Sequence, residues 1–203
     1  MKINELIQAV TKEYMPIKKK FMSNSEVTEE DTQKYFELNT TLELYKILKG
    51  AFMEEITKNK EVFPVMLAEK LITTRQEDAE KDGKIIKVTV VNESMDYQID
   101  NLPEQFQRTV LEKMVKSHKE NLVNYNKPGY EDILRKEAFE LQIIEQFLPK
   151  EATKEDIMEY LNEHYPSGVE QKLMGKVIGE VKKAFERADG KLIAECVKSI
   201  IHN

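Results

Sequence analysis

Apolar residues recur along most of this chain at spacings of three and four, the repeat of a helix that buries one face. Ile3, Leu6, Ile7, Val10 and Tyr14 predict a first helix over 3–15, which Pro16 should stop because proline has no backbone N–H to donate. A polar connector, Ser23 to Glu26, follows. Thr28 with Asp31 three residues later has the form of a capping box and predicts the start of a second helix. Tyr35, Leu38, Leu42, Tyr45, Leu48, Phe52 and Ile56 carry its stripe through Gly50. One interior glycine costs about 1 kcal/mol relative to alanine, which a long packed helix absorbs. A third helix is expected over about 61–81, with Pro64 in its first turn and Val65, Leu67, Ala68, Leu71 and Ile72 inward.

The β signal lies after the breaker Asp82-Gly83. Lys84 to Val91 is β-branched and partly alternating, and Met95 to Ile99 is a second short run, so a hairpin over 84–99 with Asn92-Glu93-Ser94 as its loop is predicted. A lone hairpin is marginal and has to pack on helices or pair with a partner. Helices resume near Asp100 or Asn101, with Phe106, Val110, Met114, His118, Leu122 and Tyr125 on one face down to Lys127-Pro128-Gly129. The next, over 130–147, buries Ile133, Leu134, Ala138, Leu141, Ile144 and Phe147 and ends at Leu148-Pro149, since the residue before proline is pushed out of the α region. Thr153 with Asp156 repeats the capping box, and Ile157, Tyr160, Leu161 and Tyr165 form the inner face of a helix ended by Pro166-Ser167-Gly168. Two helices close the chain, about 171–186 and 191–202. The predicted fold is mostly all-α with a small hairpin insertion. Its predicted parts are an N-terminal helical extension (1–41), a helical domain carrying the hairpin (42–149) and a three-helix C-terminal domain (150–203).

Composition narrows the function. Seven Gly, six Pro and no Trp in 203 residues point away from a turn-rich all-β fold. A net charge of −6 argues against a chain that coats nucleic acid indiscriminately. A single cysteine, Cys196, leaves no intramolecular disulfide and fits a reducing compartment; with no apolar run long enough to span a bilayer, a cytoplasmic protein without membrane contact is expected. No phosphate-binding glycine loop, nucleophile elbow or metal-ligand motif is present, so no catalytic residue, cofactor or metal is expected. His118, His164 and His202 lie on three different predicted helices, none with a second ligand at i+4; His118 reads as packed or half-exposed, and Cys196, among Ile193, Val197 and Ile200, as a buried small hydrophobe. Lys18-Lys19-Lys20 reads as a solvated charge run.

Charge is distributed unevenly toward the C-terminus. From Lys172 to Lys198 seven bases (Lys172, Lys176, Lys182, Lys183, Arg187, Lys191 and Lys198) face four acids (Glu180, Glu186, Asp189 and Glu195), an excess of three positive charges in an acidic chain. Lys172, Lys176 and Lys183 share a helix face. Asp189 is placed to cap the last helix, where Gly190 has free N–H groups that a phosphate could approach in competition with the aspartate.

At these residues a resemblance enters. Met174-Gly175-Lys176-Val177-Ile178-Gly179 followed by Ala188-Asp189-Gly190-Lys191-Leu192 resembles the signature of the YqeY-like family, itself similar to the tail domain of the GatB subunit of tRNA-dependent amidotransferase. Tyr130-Glu131-Asp132, Lys136-Glu137, Glu140 and Phe147-Leu148-Pro149-Lys150 resemble the family's inter-domain stretch, and Lys58 to Lys81 its early helix pair. The resemblance covers about 120–203. It implies two all-α domains, the second a three-helix module akin to the amidotransferase's tRNA-contacting, non-catalytic tail. The carbon–nitrogen ligase activity of the amidotransferase, with glutamine as amide donor, belongs to portions without a counterpart here. The implied tRNA-facing positions are Met174 to Gly179 and Arg187 to Lys191, with Lys172, Lys182 and Lys183 added on charge. The chain departs from the family in Leu173, often acidic there, and in the Glu186-Arg187 link, one residue shorter than the family's glycine-containing loop. Residues 1–41 and the hairpin stand as additions. Two functions are expected from this: a non-catalytic tRNA- or RNA-associated accessory protein linked to aminoacyl-tRNA amidation, or an assembly component that engages a protein through the N-terminal extension or the hairpin.

Overall fold

The capping box at Thr28 forms as its spacing predicts. Thr28 Oγ1 accepts from the Asp31 amide at 3.1 Å, and an Asp31 carboxylate oxygen accepts from the Thr28 amide at 2.9 Å. From it α2, Glu29–Lys58, runs unbroken through Gly50 with Leu44, Leu48 and Phe52 fully buried. The computed structural model describes residues 1–203 apart from Asn24, Asp82, Glu186 and Asn203. The described residues form two compact units that divide after Phe147.

In the first unit α1, Ile3–Met22, packs on α2 with Ile3 and Tyr14 buried, and the Tyr14 hydroxyl donates to Asn39 at 2.9 Å. Pro16 does not end α1. It lies on the exposed face, so the Lys12 carbonyl that loses its helical donor faces water instead of the core. The boundary drawn between residues 41 and 42 falls inside α2.

The third helix is shorter than its stripe predicts. α3, Val62–Ala68, ends where Lys70 turns to φ 57° and Leu71 N–H bonds back to the Met66 carbonyl, a left-handed C-terminal cap. The chain then forms β1, Thr74–Lys81, antiparallel to β2, Lys84–Val91, with Lys81 opposite Lys84. The hairpin is therefore present, but its first strand is 74–81 and the predicted second strand, 95–99, is helix. The cause is local. Thr74 to Lys81 is polar or charged apart from Ala79 and has no apolar stripe to hold a helix on the core, whereas β2 needs a ladder partner. Gly83, at φ 72°, provides the tight turn beside Asp82, which lies outside the described residues. Ser94 caps α4, Met95–Asp100, by accepting from the Tyr97 amide, and Ile99 is buried. α5, Glu104–Asn124, and α6, Glu131–Glu145, form an antiparallel pair packed on α2.

The second unit is three helices closed by a two-residue parallel pair. α7, Lys154–His164, starts at the second capping box, where the Asp156 amide donates to Thr153 Oγ1 at 3.2 Å. After β3, Val169–Glu170, and a 3-10 turn over Gln171–Leu173 come α8, Met174–Ala184, and α9, Gly190–Ser199. The last helix is shorter than predicted because Ile201–His202 leave it as β4 to pair with β3. Ile157, Leu161, Val169, Val177, Val181, Ile193, Cys196 and Val197 make one hydrophobic core. Burial pushes the Cys196 thiol up, consistent with a packed side chain and not a thiolate. No helix among the described residues is long and apolar enough to cross a membrane.

Candidate nucleic-acid interface

The stripe Val177, Val181 sends one side of α8 into the core, and the opposite side carries the glycines. At 3.6 residues per turn, Gly175, Gly179, Lys176, Lys182 and Lys183 fall within an arc of about 120°. A Cβ built on Gly175 or Gly179 would meet nothing within 4 Å, so this face is an uncovered strip of backbone rimmed by amines. Met174, implied to face RNA, instead turns toward the core, where it packs partly buried.

The amines are not equivalent. Lys172, on the 3-10 turn, is paired with Glu170 at 2.6 Å, and Lys176 faces Glu180 at 3.8 Å. Lys182, Lys183 and Lys191 are exposed and have no carboxylate partner among the described residues. Lys182 reaches the start of α9, its Nζ 3.9 Å from the position of a Gly190 Cβ. There Asp189 accepts from the Lys191 amide at 2.8 Å, as its capping position predicts. The carboxylate thus holds part of the anion-attracting end of α9, and Lys182 lies beside it.

Arg187 has a structural partner that sequence reasoning did not find. Its Nη1 donates to the Pro149 carbonyl at 2.6 Å, and its own carbonyl accepts from Ala152 at 3.1 Å. A depression of about 260 Å³ opens beside it, lined by Pro149, Lys150, Ala152, Lys183, Phe185 and Arg187. Lys150, next to Leu148-Pro149, thereby joins the basic surface. The shortened Glu186-Arg187 link is not evaluated at Glu186, which lies outside the described residues. Beside Lys176 at the rim of this face, Glu180 also accepts from the Tyr165 hydroxyl, and the carboxylate pushes that phenol up to about 12.

The glycine-bearing α8 and aspartate-capped α9 of this second unit lie within the stretch matched by a family model. Residues 67–201 match the model described as Yqey-like protein. The chain belongs to the Yqey-like protein family. The match takes in the hairpin and leaves α1, α2 and most of α3 outside. Among curated proteins none matches the chain.

Proposed function

We propose that this Yqey-like protein is a non-catalytic, cytoplasmic RNA-associated accessory protein, linked to aminoacyl-tRNA amidation, that meets the ribose-phosphate backbone of tRNA with the glycine strip of α8. The observation that carries this reading is the pairing of open glycine backbone at Gly175 and Gly179 with the exposed amines of Lys182, Lys183 and Lys191, which have no carboxylate partner among the described residues. A helix face without side chains lets a phosphate chain approach closely, and flexible amines at its rim neutralise it without reading sequence. Arg187 is a positioning residue in this surface, and Met174 a core residue beneath it.

The test is fluorescence anisotropy of the intact protein with unmodified tRNA. Phosphate contacts by Lys176, Lys182, Lys183 and Lys191 imply that affinity falls roughly a hundredfold between 50 and 200 mM salt. The triple change Lys176→Glu, Lys182→Glu, Lys183→Glu should abolish binding while the far-UV circular dichroism stays unchanged. Undiminished binding by the triple variant would exclude this face.

A second reading has its own support. Ile85 is 78% exposed on the hairpin, and Met15 and Met22 are 55% and 79% exposed on α1, apolar surface that a protein partner would cover. Co-elution of a protein, and not tRNA, with the intact chain at moderate salt, lost on replacing the exposed Met15, Met22 and Ile85 with Ser, would favour it.

A further inference from the structure

In the first unit, α5 and α6 bring together three side chains that share no sequence motif. His118 Nδ1 lies 2.6 Å from a carboxylate oxygen of Glu137 and 3.9 Å from one of Glu140. The ligand-type atoms of the three residues all lie within 4.8 Å of one another. Glu140 is 95% removed from solvent; its Oε2 is the oxygen nearest His118, and its other oxygen, Oε1, accepts no hydrogen bond among the described residues. Burying a carboxylate oxygen without a donor costs several kcal/mol unless a cation supplies the missing charge. Lys136 approaches that oxygen only to 3.9 Å, and its hydrogen bond goes to Glu43 at 3.1 Å.

We propose that His118, Glu137 and Glu140 form a binding site for a divalent first-row transition ion of the zinc type. One imidazole nitrogen and two carboxylate oxygens are a donor set such ions accept, in contrast to the all-oxygen sets of magnesium and calcium. Metal–ligand bonds of about 2.1 Å in a tetrahedral site hold ligands about 3.4 Å apart. The 2.6 Å and 3.9 Å separations from His118 Nδ1 bracket that value. The ion takes the place of the proton that joins His118 Nδ1 to Glu137. Asn121, which donates to Glu137 from its side-chain amide at 3.2 Å, orients that carboxylate from outside the ligand set. Lys136 already has Glu43 and keeps it when the ion takes over Glu140. The His118 and Glu137 side chains retain 13% and 16% exposure, which leaves an approach for the ion and for water as a further ligand.

The test is isothermal titration of the intact, chelator-treated protein with zinc chloride, alongside His118→Ala, Glu140→Gln and Asn121→Ala. One equivalent should bind. The first two changes should weaken affinity by at least about tenfold, and Asn121→Ala by less. His164→Ala and His202→Ala, remote from the cluster in sequence, serve as controls and should leave binding unchanged. Glu140→Gln is nearly isosteric, and circular dichroism checks that it folds. Cobalt(II) gives a second readout: its visible absorption should appear on the wild type and be absent in His118→Ala. Loss of no more than twofold affinity in both ligand variants, absence of saturable binding, or loss of binding in His164→Ala or His202→Ala would overturn the proposal.

Discussion

Arg187 turns its guanidinium onto the carbonyl oxygen of Pro149, 2.6 Å away, and so fastens the link between α8 and α9 to the segment that precedes α7. A cation used this way contributes to the basic surface mostly by holding it in place. Arg187→Ala should destabilise the second unit by about 1 kcal/mol, the usual net worth of such a bond. It should also lower tRNA affinity less than Lys183→Glu does. Amide hydrogen exchange resolved over α7 to α9 checks the first expectation, and anisotropy the second. Equal loss of affinity in both variants would make Arg187 a direct phosphate contact.

Gly168 is fixed by space as well as by backbone angle. Its φ is 80°, and a Cβ there would lie 2.7 Å from the Ile200 carbonyl oxygen, against backbone that β3 and β4 hold in register. Gly83 has a similar φ of 72° but open space around it. Gly83→Ala should therefore cost about 1 kcal/mol, the conformational share alone. Gly168→Ala should cost about 2–3 kcal/mol, because overpacking is added. Urea unfolding followed by hydrogen exchange separates the two. Equal costs would mean that β4 moves aside freely.

The capping box that begins α2 also carries a charge. Lys20 and the Thr28 amide hold the Asp31 carboxyl down at about 2, below its ordinary 3.8. A depressed folded value means that the contribution is present above about pH 4 and is lost as pH falls through about 2. Wild type should melt higher than Asp31→Asn at pH 5, and the gap should close by pH 2. A gap that persists at pH 2 would assign the stabilisation to hydrogen bonding without charge.

How much of this was legible beforehand depends on how local the cause was. Both capping boxes, the Asp189 cap and the buried Cys196 rest on neighbours within a few residues, and each is found where its spacing places it. The end of α3 was not legible, because Leu71 and Ile72 continue a helical stripe that the left-handed turn at Lys70 interrupts. The strand character of Thr74 to Lys81 comes from β2 across the turn and from nothing in its own residues. The His118 cluster was missed for a related reason. Spacing of i+4 points only to ligands on one helix, whereas these face each other across an antiparallel pair. His118 lies ten residues before Pro128 and Glu137 nine after it, so folding α5 onto α6 about that turn would have aligned them. Arg187 bonds to a carbonyl 38 positions away, for which side-chain pattern gives no signal.

The hairpin can be removed without touching the core. No described residue from Thr74 to Val91 is fully buried, and the ladder already closes below it: the Asn92 amide donates to the Thr73 carbonyl at 2.9 Å. Glu93 further anchors that base by accepting from the Thr73 amide and hydroxyl, both at 2.8 Å. Replacing residues 74–91 with Asn-Gly leaves a two-residue turn between strand ends that are already paired, the geometry such a turn favours. The loss of stability should stay below about 1 kcal/mol, since little apolar area is removed from the interior. Binding of tRNA should be unchanged, because the hairpin belongs to the first unit and the glycine strip to the second. If instead a protein partner is lost with the hairpin, the exposed Ile85 and Ile86 are its contact, and their replacement by Thr in the intact chain should reproduce that loss. A fall in stability of several kcal/mol would show that the hairpin supports the helices beneath it, contrary to its burial.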